Sequence, residues 1–435
     1  MGSGKSSFAI QYMRQHPSKI FLYVTPLLTE VDRITASVDN VISCNNASKS
    51  KQDFLRDALC EGKSVAITHS LFRQLDPDTV NIINSLSNTC LIIDETLDCY
   101  SKIKVSKANI GVMIKEEVIE IVDDGDKKRV VAKNYIKGLS QCDQYWSYIY
   151  NKDVFTNDDN ELLISMIPCD IYNSVDESFI LTYNFEGTDM DCYLKFNGLD
   201  FSVNGVRMTH KGVDVTPKST ATGKFYRHLI NICDNPKMNV IGERRRVTRQ
   251  YPLSKSWYTS SNTSPALYKK LGDNCYNFFT HYSKTKAEHN MVTTFKDGSF
   301  YEYTKTSDGE IVLSEDFDGK SKGKKSWMDH ILKSPFKDTK AHTCFVPFNT
   351  RATNDFADKS ACAFLIDVHY DYSVKTFFEQ YDIHLDNEKY ALNTLIQWIW
   401  RSRIRKGEPI DLYIPSKRMR HLLMDWLGYS ESEKF

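Results

Sequence analysis

Short unbroken apolar runs, separated by helical spacing, organise the first hundred residues. Ile20–Val24 (IFLYV), Ser64–Thr68 (SVAIT) and Cys90–Ile93 (CLII) are β-rich without alternation, the pattern of strands covered on both faces. Polar residues follow each run at its carboxyl end, and the whole predicts a parallel α/β sheet. Phe179–Thr182 (FILT) reads as a later strand of the same sheet. Between about 101 and 175 the pattern changes. Val118–Ala132 predicts a hairpin around Asp123-Asp124-Gly125-Asp126, and Tyr145, Trp146, Tyr148 and Ile149 follow on a helical stretch, so this region reads as an insertion.

Alternation resumes in the last third. His342–Phe348, Ala361–Val368 and Ile410–Ile414 are predicted strands, and Tyr390–Arg405 a predicted helix. Ser416 caps a further helix whose apolar residues Met419, Leu422, Leu423, Trp426 and Leu427 keep helical spacing up to Gly428. Two tandem α/β domains, 1–200 and 201–435, account for 435 residues better than one core does.

Composition refines this only slightly. Lysine plus arginine (56) balances aspartate plus glutamate (56), which excludes a strongly basic body but not a basic groove. The densest basic stretch is Arg401–Arg420, whereas the run Arg244-Arg245-Arg246 reads as a solvated edge. No apolar run approaches the ~20 residues of a membrane span, so no membrane partner is expected and the chain reads as cytoplasmic. Eleven cysteines without a Cys-x-x-Cys pair speak against structural zinc, and those in apolar runs (Cys90, Cys344, Cys362) read as core residues.

The first candidate chemistry is Gly2-Ser3-Gly4-Lys5-Ser6-Ser7, the second half of GxxxxGK[ST]. Glycines leave backbone N–H groups open to phosphate oxygens. Lys5 would reach the terminal phosphates and Ser6 would hold Mg²⁺, at the start of a helix whose dipole favours an anion. Leu91-Ile92-Ile93-Asp94-Glu95-Thr96 supplies the complement: an apolar strand ends in one carboxylate for the metal and a second for the attacking water. Together they point to hydrolysis of a nucleoside triphosphate.

Thr25 and Thr68 stand at strand tips, where hydroxyls can hold a phosphodiester backbone or cap a helix. In Gln397-Trp398-Ile399-Trp400-Arg401-Ser402-Arg403-Ile404-Arg405, one continuous helix would place Arg401 and Arg405 about 40° and 80° around from Gln397. All three would then share a face, suited to sensing a γ-phosphate, with Arg403 pointing elsewhere.

Taken in order, these segments resemble the motifs of superfamily 2 (DExx-box) helicases. GSGKSS is similar to motif I, YVTPLLTE to Ia, IIDET to II, FILTYNF to III, FVPFNTRATNDF to V and QWIWRSRIR to VI. The FVPFNTRATND and YALNTLIQWIWRSRIRKGEPIDLYIPSKRMR blocks further resemble helicase-like proteins of bacteriophages and prophages. The resemblance is good at both ends of the chain and poor in its middle.

It implies two RecA-like domains, the first lacking its initial strand and carrying the insertion. It also implies ATP and Mg²⁺ as cofactors, with hydrolysis at the interface of the two domains, and a nucleic-acid substrate, DNA ahead of RNA, in a bacterial host cytoplasm. Residue by residue, it implies Gly2–Ser7 for ATP, Ser6 and Asp94 for Mg²⁺, and Glu95 for water. Thr182 would couple, Thr353 and Asn354 would make motif V contacts, and Gln397, Arg401 and Arg405 would sense nucleotide. The sequence departs from the pattern at Trp400, where motif VI carries glycine, at Thr182-Tyr183 in motif III, and ahead of Met1, where the strand before the phosphate loop would lie. A viral packaging ATPase, or a truncated remnant that binds nucleic acid with little turnover, are the alternatives.

Overall fold

In a computed structural model of the chain, the described residues are 4–45, 50–210, 212–217, 223–243, 250–260, 263–296, 303–305, 311–313, 327–332, 344–350 and 355–435. The protein is α/β, with two parallel sheets in two compact bodies.

The first body runs up to Ser219 and takes back Tyr370–Asp386. Its strands are β1 (Ile20–Thr25), β2 (Val41–Ser43), β3 (Ser64–Thr68), β4 (Thr89–Asp94), β5 (Tyr100–Ile103), β6 (Ile119–Asp124), β7 (Lys127–Ala132), β8 (Asp153–Thr156), β9 (Leu163–Met166), β10 (Glu177–Leu181), β11 (Asn204–Thr209) and β12 (Gly212–Pro217). A five-stranded sheet has the order β10-β4-β1-β3-β2, parallel throughout.

Its two faces follow from strand parity. Phe21, Tyr23, Cys90 and Ile92 pack under the helices Lys5–Gln15 and Leu28–Ser37. Leu22, Val24, Leu91 and Ile93 face the opposite core. Every residue of β4 is buried, as its continuous apolar run requires.

The expected insertion is a second sheet, antiparallel, in the order β5-β9-β8-β7-β6. Its β6–β7 hairpin turns at Gly125, as the sequence predicts. Val374, Phe377 and Phe378 of the helix Tyr372–Glu379 join the core beneath. Phe196 meets Phe377 at 5.6 Å and Phe378 at 5.8 Å between ring centroids.

The second body has β13 (Ile230–Ile232), β14 (Asn290–Thr293), β15 (Tyr303–Lys305), β16 (Ile311–Leu313), β17 (Ala361–Phe364) and β18 (Ile410–Tyr413). Four of these form a parallel sheet, β13-β18-β17-β14; β15 and β16 pair separately. Two predicted strands are shorter than expected. Within His342–Phe348 the described residues contribute one parallel bridge, Val292 to Phe345, and β17 stops at Phe364 rather than Val368.

The larger correction concerns the predicted helix Tyr390–Arg405. The helix is Asn387–Ile399, followed by a separate 3₁₀ turn, Arg403–Lys406, that Ser402 caps and Gly407 ends at φ 77°. Ser402 Oγ donates to Ile399 O at 2.6 Å. Trp400 is buried between Tyr226 and Trp426, which fixes the break. Gln397, Arg401 and Arg405 therefore do not lie on one helix.

Two glycines test the packing. A Cβ on Gly242 would stand 1.8 Å from the Pro415 carbonyl oxygen, whereas one on Gly111, in the helix Lys107–Lys115, meets nothing within 4 Å. Gly242→Ala is expected to cost roughly 2–4 kcal/mol in denaturant unfolding, and Gly111→Ala to gain about 0.5–1 kcal/mol. Equal effects would contradict the close approach at Gly242.

Candidate functional site

The carboxyl end of the first sheet gathers the groups that the sequence singles out, although they are far apart along the chain. Gly4 precedes the helix Lys5–Gln15 with φ 87° and ψ 15°, a left-handed conformation that glycine adopts without strain. A Cβ there would also meet Met208 Sδ at 2.4 Å. Gln11 of the same helix holds β12 by two bonds, Nε2 to Val213 O at 3.2 Å and Oε1 from Val213 N at 2.8 Å.

Ser6 Oγ donates to Asp94 Oδ2 at 3.3 Å. Tyr23 Oη donates to the same oxygen at 3.0 Å. His69 Nε2 bonds the Asp94 carbonyl oxygen at 2.9 Å. Next in the chain, Glu95 takes φ 63°, a strained conformation for a residue with a Cβ, at a cost on the order of 1–3 kcal/mol. Its N–H donates to Leu181 O at 2.9 Å, so β10 holds the turn that carries both carboxylates.

The electrostatics follow from burial. Desolvation lowers the Lys5 ammonium below its ordinary value, opposed by Asp94 and then Glu95. Desolvation raises the Asp94 carboxyl; the Tyr23 hydrogen bond opposes it, Glu30 adds to it, and Ser6 and Lys5 oppose it. Each charge is costly alone and relieved by the other. Ser6 and Asp94 suit Mg²⁺, which takes a hydroxyl, one or two carboxylates, phosphate oxygens and water rather than a protein cage. No group of three His, Cys, Asp or Glu side chains is assembled among the described residues. A cation and open backbone N–H groups beside a carboxylate pair can take up a polyphosphate and direct a water at it.

The remaining predicted residues are placed as follows. Gly2, Ser3, Thr353 and Asn354 lie outside the described residues; Ser7 is exposed in the first helical turn. Thr25 is fully buried, its hydroxyl without a hydrogen-bond partner, so it is not presented to a strand of nucleic acid. Thr68 caps the helix His69–Phe72 by accepting from Leu71 N at 3.3 Å. Thr182 follows β10, and among the described residues its hydroxyl bonds Tyr183 O, at 3.5 Å.

In the second body Gln397 is half-buried, Arg401 buried and Arg405 exposed. Arg403 N donates to Lys359 O at 3.1 Å, so this turn sits where β17 begins. Ligands of parallel sheets bind beyond the opposite, carboxyl ends.

Three features escape sequence reasoning. Tyr23 grips Asp94 from β1, the neighbour of β4, and His69 does so from the head of the helix that follows β3. At the carboxyl end of β17, Arg418 donates to Asp367 Oδ1 at 2.7 Å, to Val368 O at 2.9 Å and to Asn387 O at 3.0 Å. His369 lies 3.4 Å from Asp367 and stacks on Tyr251 at 4.9 Å. The legible signals there were the helix cap Ser416, the basic stretch Arg401–Arg420 and the apolar run Ala361–Val368.

The profile of the family described as the YonV C-terminal Rossmann-like domain matches residues 224–427. The SPbeta prophage-derived uncharacterized protein YonV of Bacillus subtilis (strain 168) is 28% identical over 444 residues, covering 98% of this chain and 97% of that protein. Among solved structures, S. tokodaii Xpd4 superposes with TM-score 0.45 at 11% identity, covering 99% of this chain and 93% of that one. An apo XPD structure superposes with TM-score 0.48 at 12% identity, covering 100% and 95%. Among the described residues no helix is long and apolar enough to cross a membrane.

The raised Asp94 pKa makes a stability prediction. An acid whose folded pKa exceeds its unfolded value of about 3.9 weakens the fold above the folded pKa, and that cost vanishes below the unfolded one. Without nucleotide or metal, Asp94→Asn should raise Tm at pH 7–8 by roughly 2–5 °C, and the gain should fade toward pH 4. A gain that persists in acid would contradict burial as the cause.

Proposed function

We propose that the chain is an ATP-dependent motor on nucleic acid, a helicase or translocase, in which the first body binds and hydrolyses Mg²⁺–ATP. One observation carries this reading: Ser6 and Asp94, 88 positions apart, meet at 3.3 Å at the carboxyl end of a parallel sheet, with the half-buried Lys5 near enough to feel the charges of Asp94 and Glu95. In this reading the loop amides through Gly4 and Lys5 bind the phosphates. Ser6 and Asp94 would hold Mg²⁺, which supplies neutralisation of phosphate charge, and Glu95 orients the attacking water and accepts its proton. The strained turn at Glu95, held by Leu181 O, sets the direction in which that side chain leaves the main chain.

Nucleic acid as substrate rests on the order of motifs along the sequence and their resemblance to superfamily 2 helicases. DNA is favoured over RNA, in keeping with a relative encoded by a prophage. Thr353 and Asn354 remain the candidate backbone contacts, Thr68 a weaker one, and Thr182 the candidate coupling residue. Gln397, Arg401 and Arg405 remain candidate nucleotide sensors on their motif, no longer on a shared face. A packaging ATPase would share the phosphate site but not stimulation by single strands.

ATP hydrolysis should be stimulated by single-stranded DNA, and Lys5→Ala should reduce it by about 100-fold or more, as loss of a phosphate clamp does. Glu95→Gln should retain nucleotide binding while losing turnover. Hydrolysis indifferent to both DNA and Lys5 would sink the motor reading.

Burial separates the arginines. Arg405→Ala should leave Tm unchanged and, if Arg405 senses nucleotide, lower kcat with ATP binding intact. Arg401→Ala should lower Tm by several degrees, roughly 1–3 kcal/mol of stability. Full turnover in Arg405→Ala would remove it from the site.

A further inference from the structure

We propose that Tyr23 is a positioning residue of the phosphate site: its phenol sets the orientation of the Asp94 carboxylate, so that one oxygen is kept for the divalent cation. The inference rests on the reading of Asp94 as a metal ligand and assigns the group that aims it.

Register explains the contact. In the β1–β4 pairing Tyr23 lies beside Ile92, so Asp94, two residues on, is its diagonal neighbour on the same face. With parallel strands ~4.8 Å apart and a rise of ~3.3 Å per residue, a two-residue diagonal spans about 8 Å between backbones, too far for a short side chain and within reach of a tyrosine. Tyr23 is fully buried, and its 3.0 Å bond goes to Oδ2, the oxygen that also receives Ser6. Oδ1 carries no hydrogen bond among the described residues.

Backbone contacts leave one freedom for Tyr23 to remove. The Asp94 carbonyl is bonded by His69, and the following N–H by Leu181. The main chain is thus held from both sides, while the carboxyl group can still turn about its side-chain bonds. Two donors converging on Oδ2 stop that rotation. Ser6 is half-buried at the head of the first helix and its bond to Oδ2 is the longer of the two, whereas Tyr23 is fully buried in the central strand of the sheet.

The test is Tyr23→Phe, which removes one oxygen from a packed ring and is expected to keep Tm within a few degrees. Nucleotide binding is read by mant-ADP fluorescence, and cation binding by the EPR signal of free Mn²⁺ with saturating ADP. Expected are unchanged ADP affinity, Mn²⁺ affinity weakened about tenfold or more, as for groups that orient metal ligands, and kcat reduced with ATP KM changed less than about threefold. Mn²⁺ affinity and kcat both within about twofold of wild type, with Lys5-dependent ADP binding intact, would overturn the role of Tyr23 and leave the phosphate site standing. Absence of Lys5-dependent ADP binding in the wild type would instead overturn the site reading, and this inference with it. Should Tyr23→Phe fail to fold, 3-fluorotyrosine at position 23 keeps the ring. Its ¹⁹F resonance should move when Mg²⁺ is added to the ADP complex, and a resonance indifferent to Mg²⁺ would count against the proposal.

Discussion

A carboxylate withdrawn from water at the end of a fully buried strand is the constraint around which the first body is arranged. Asp94 is 8% exposed, and an unpaired charge there would be neutralised or would unfold its surroundings. Its relief comes from every side. A tyrosine from β1 and a serine from the first helix bond one oxygen, while a lysine beside the serine supplies the opposite charge. A histidine following β3 takes up the carbonyl. With Asp94 itself, these groups come from four separate segments, so the site exists only when the sheet has formed in register.

That dependence explains what could be read from the sequence and what could not. IFLYV, SVAIT and CLII announce themselves because a strand covered on both faces has no polar position to spare. Lys5, Ser6, Asp94 and Glu95 are legible because Gly-Ser-Gly-Lys-Ser and an apolar strand ending in Asp-Glu are local patterns of residue type. Tyr23 was invisible for the converse reason. Inside IFLYV it counts as one more apolar residue, and its partner depends on the offset between β1 and β4, which no local pattern encodes.

The second body shows the opposite failure. Helical spacing continues through QWIWRSRIR, and no proline or glycine interrupts it, so a single helix was the natural expectation. The break is made by tertiary packing: Trp400 is held between Tyr226 and Trp426, and the Ser402 hydroxyl takes the Ile399 carbonyl. Angular arguments about arginines on a helix hold only as far as the helix does. The polar group around Arg418 and Asp367 escaped for a related reason, since its members come from the ends of different strands and helices.

The return of Tyr370–Asp386 to the first body sets an order on synthesis. The hydrophobic core beneath the inserted sheet includes Val374, Phe377 and Phe378, so it stays open while most of the second body is being translated. The nascent first body carries that uncovered apolar face until the helix Tyr372–Glu379 leaves the ribosome, and a chain released earlier would display it to chaperones and proteases. Completion of the first body is thereby tied to synthesis through Asp386.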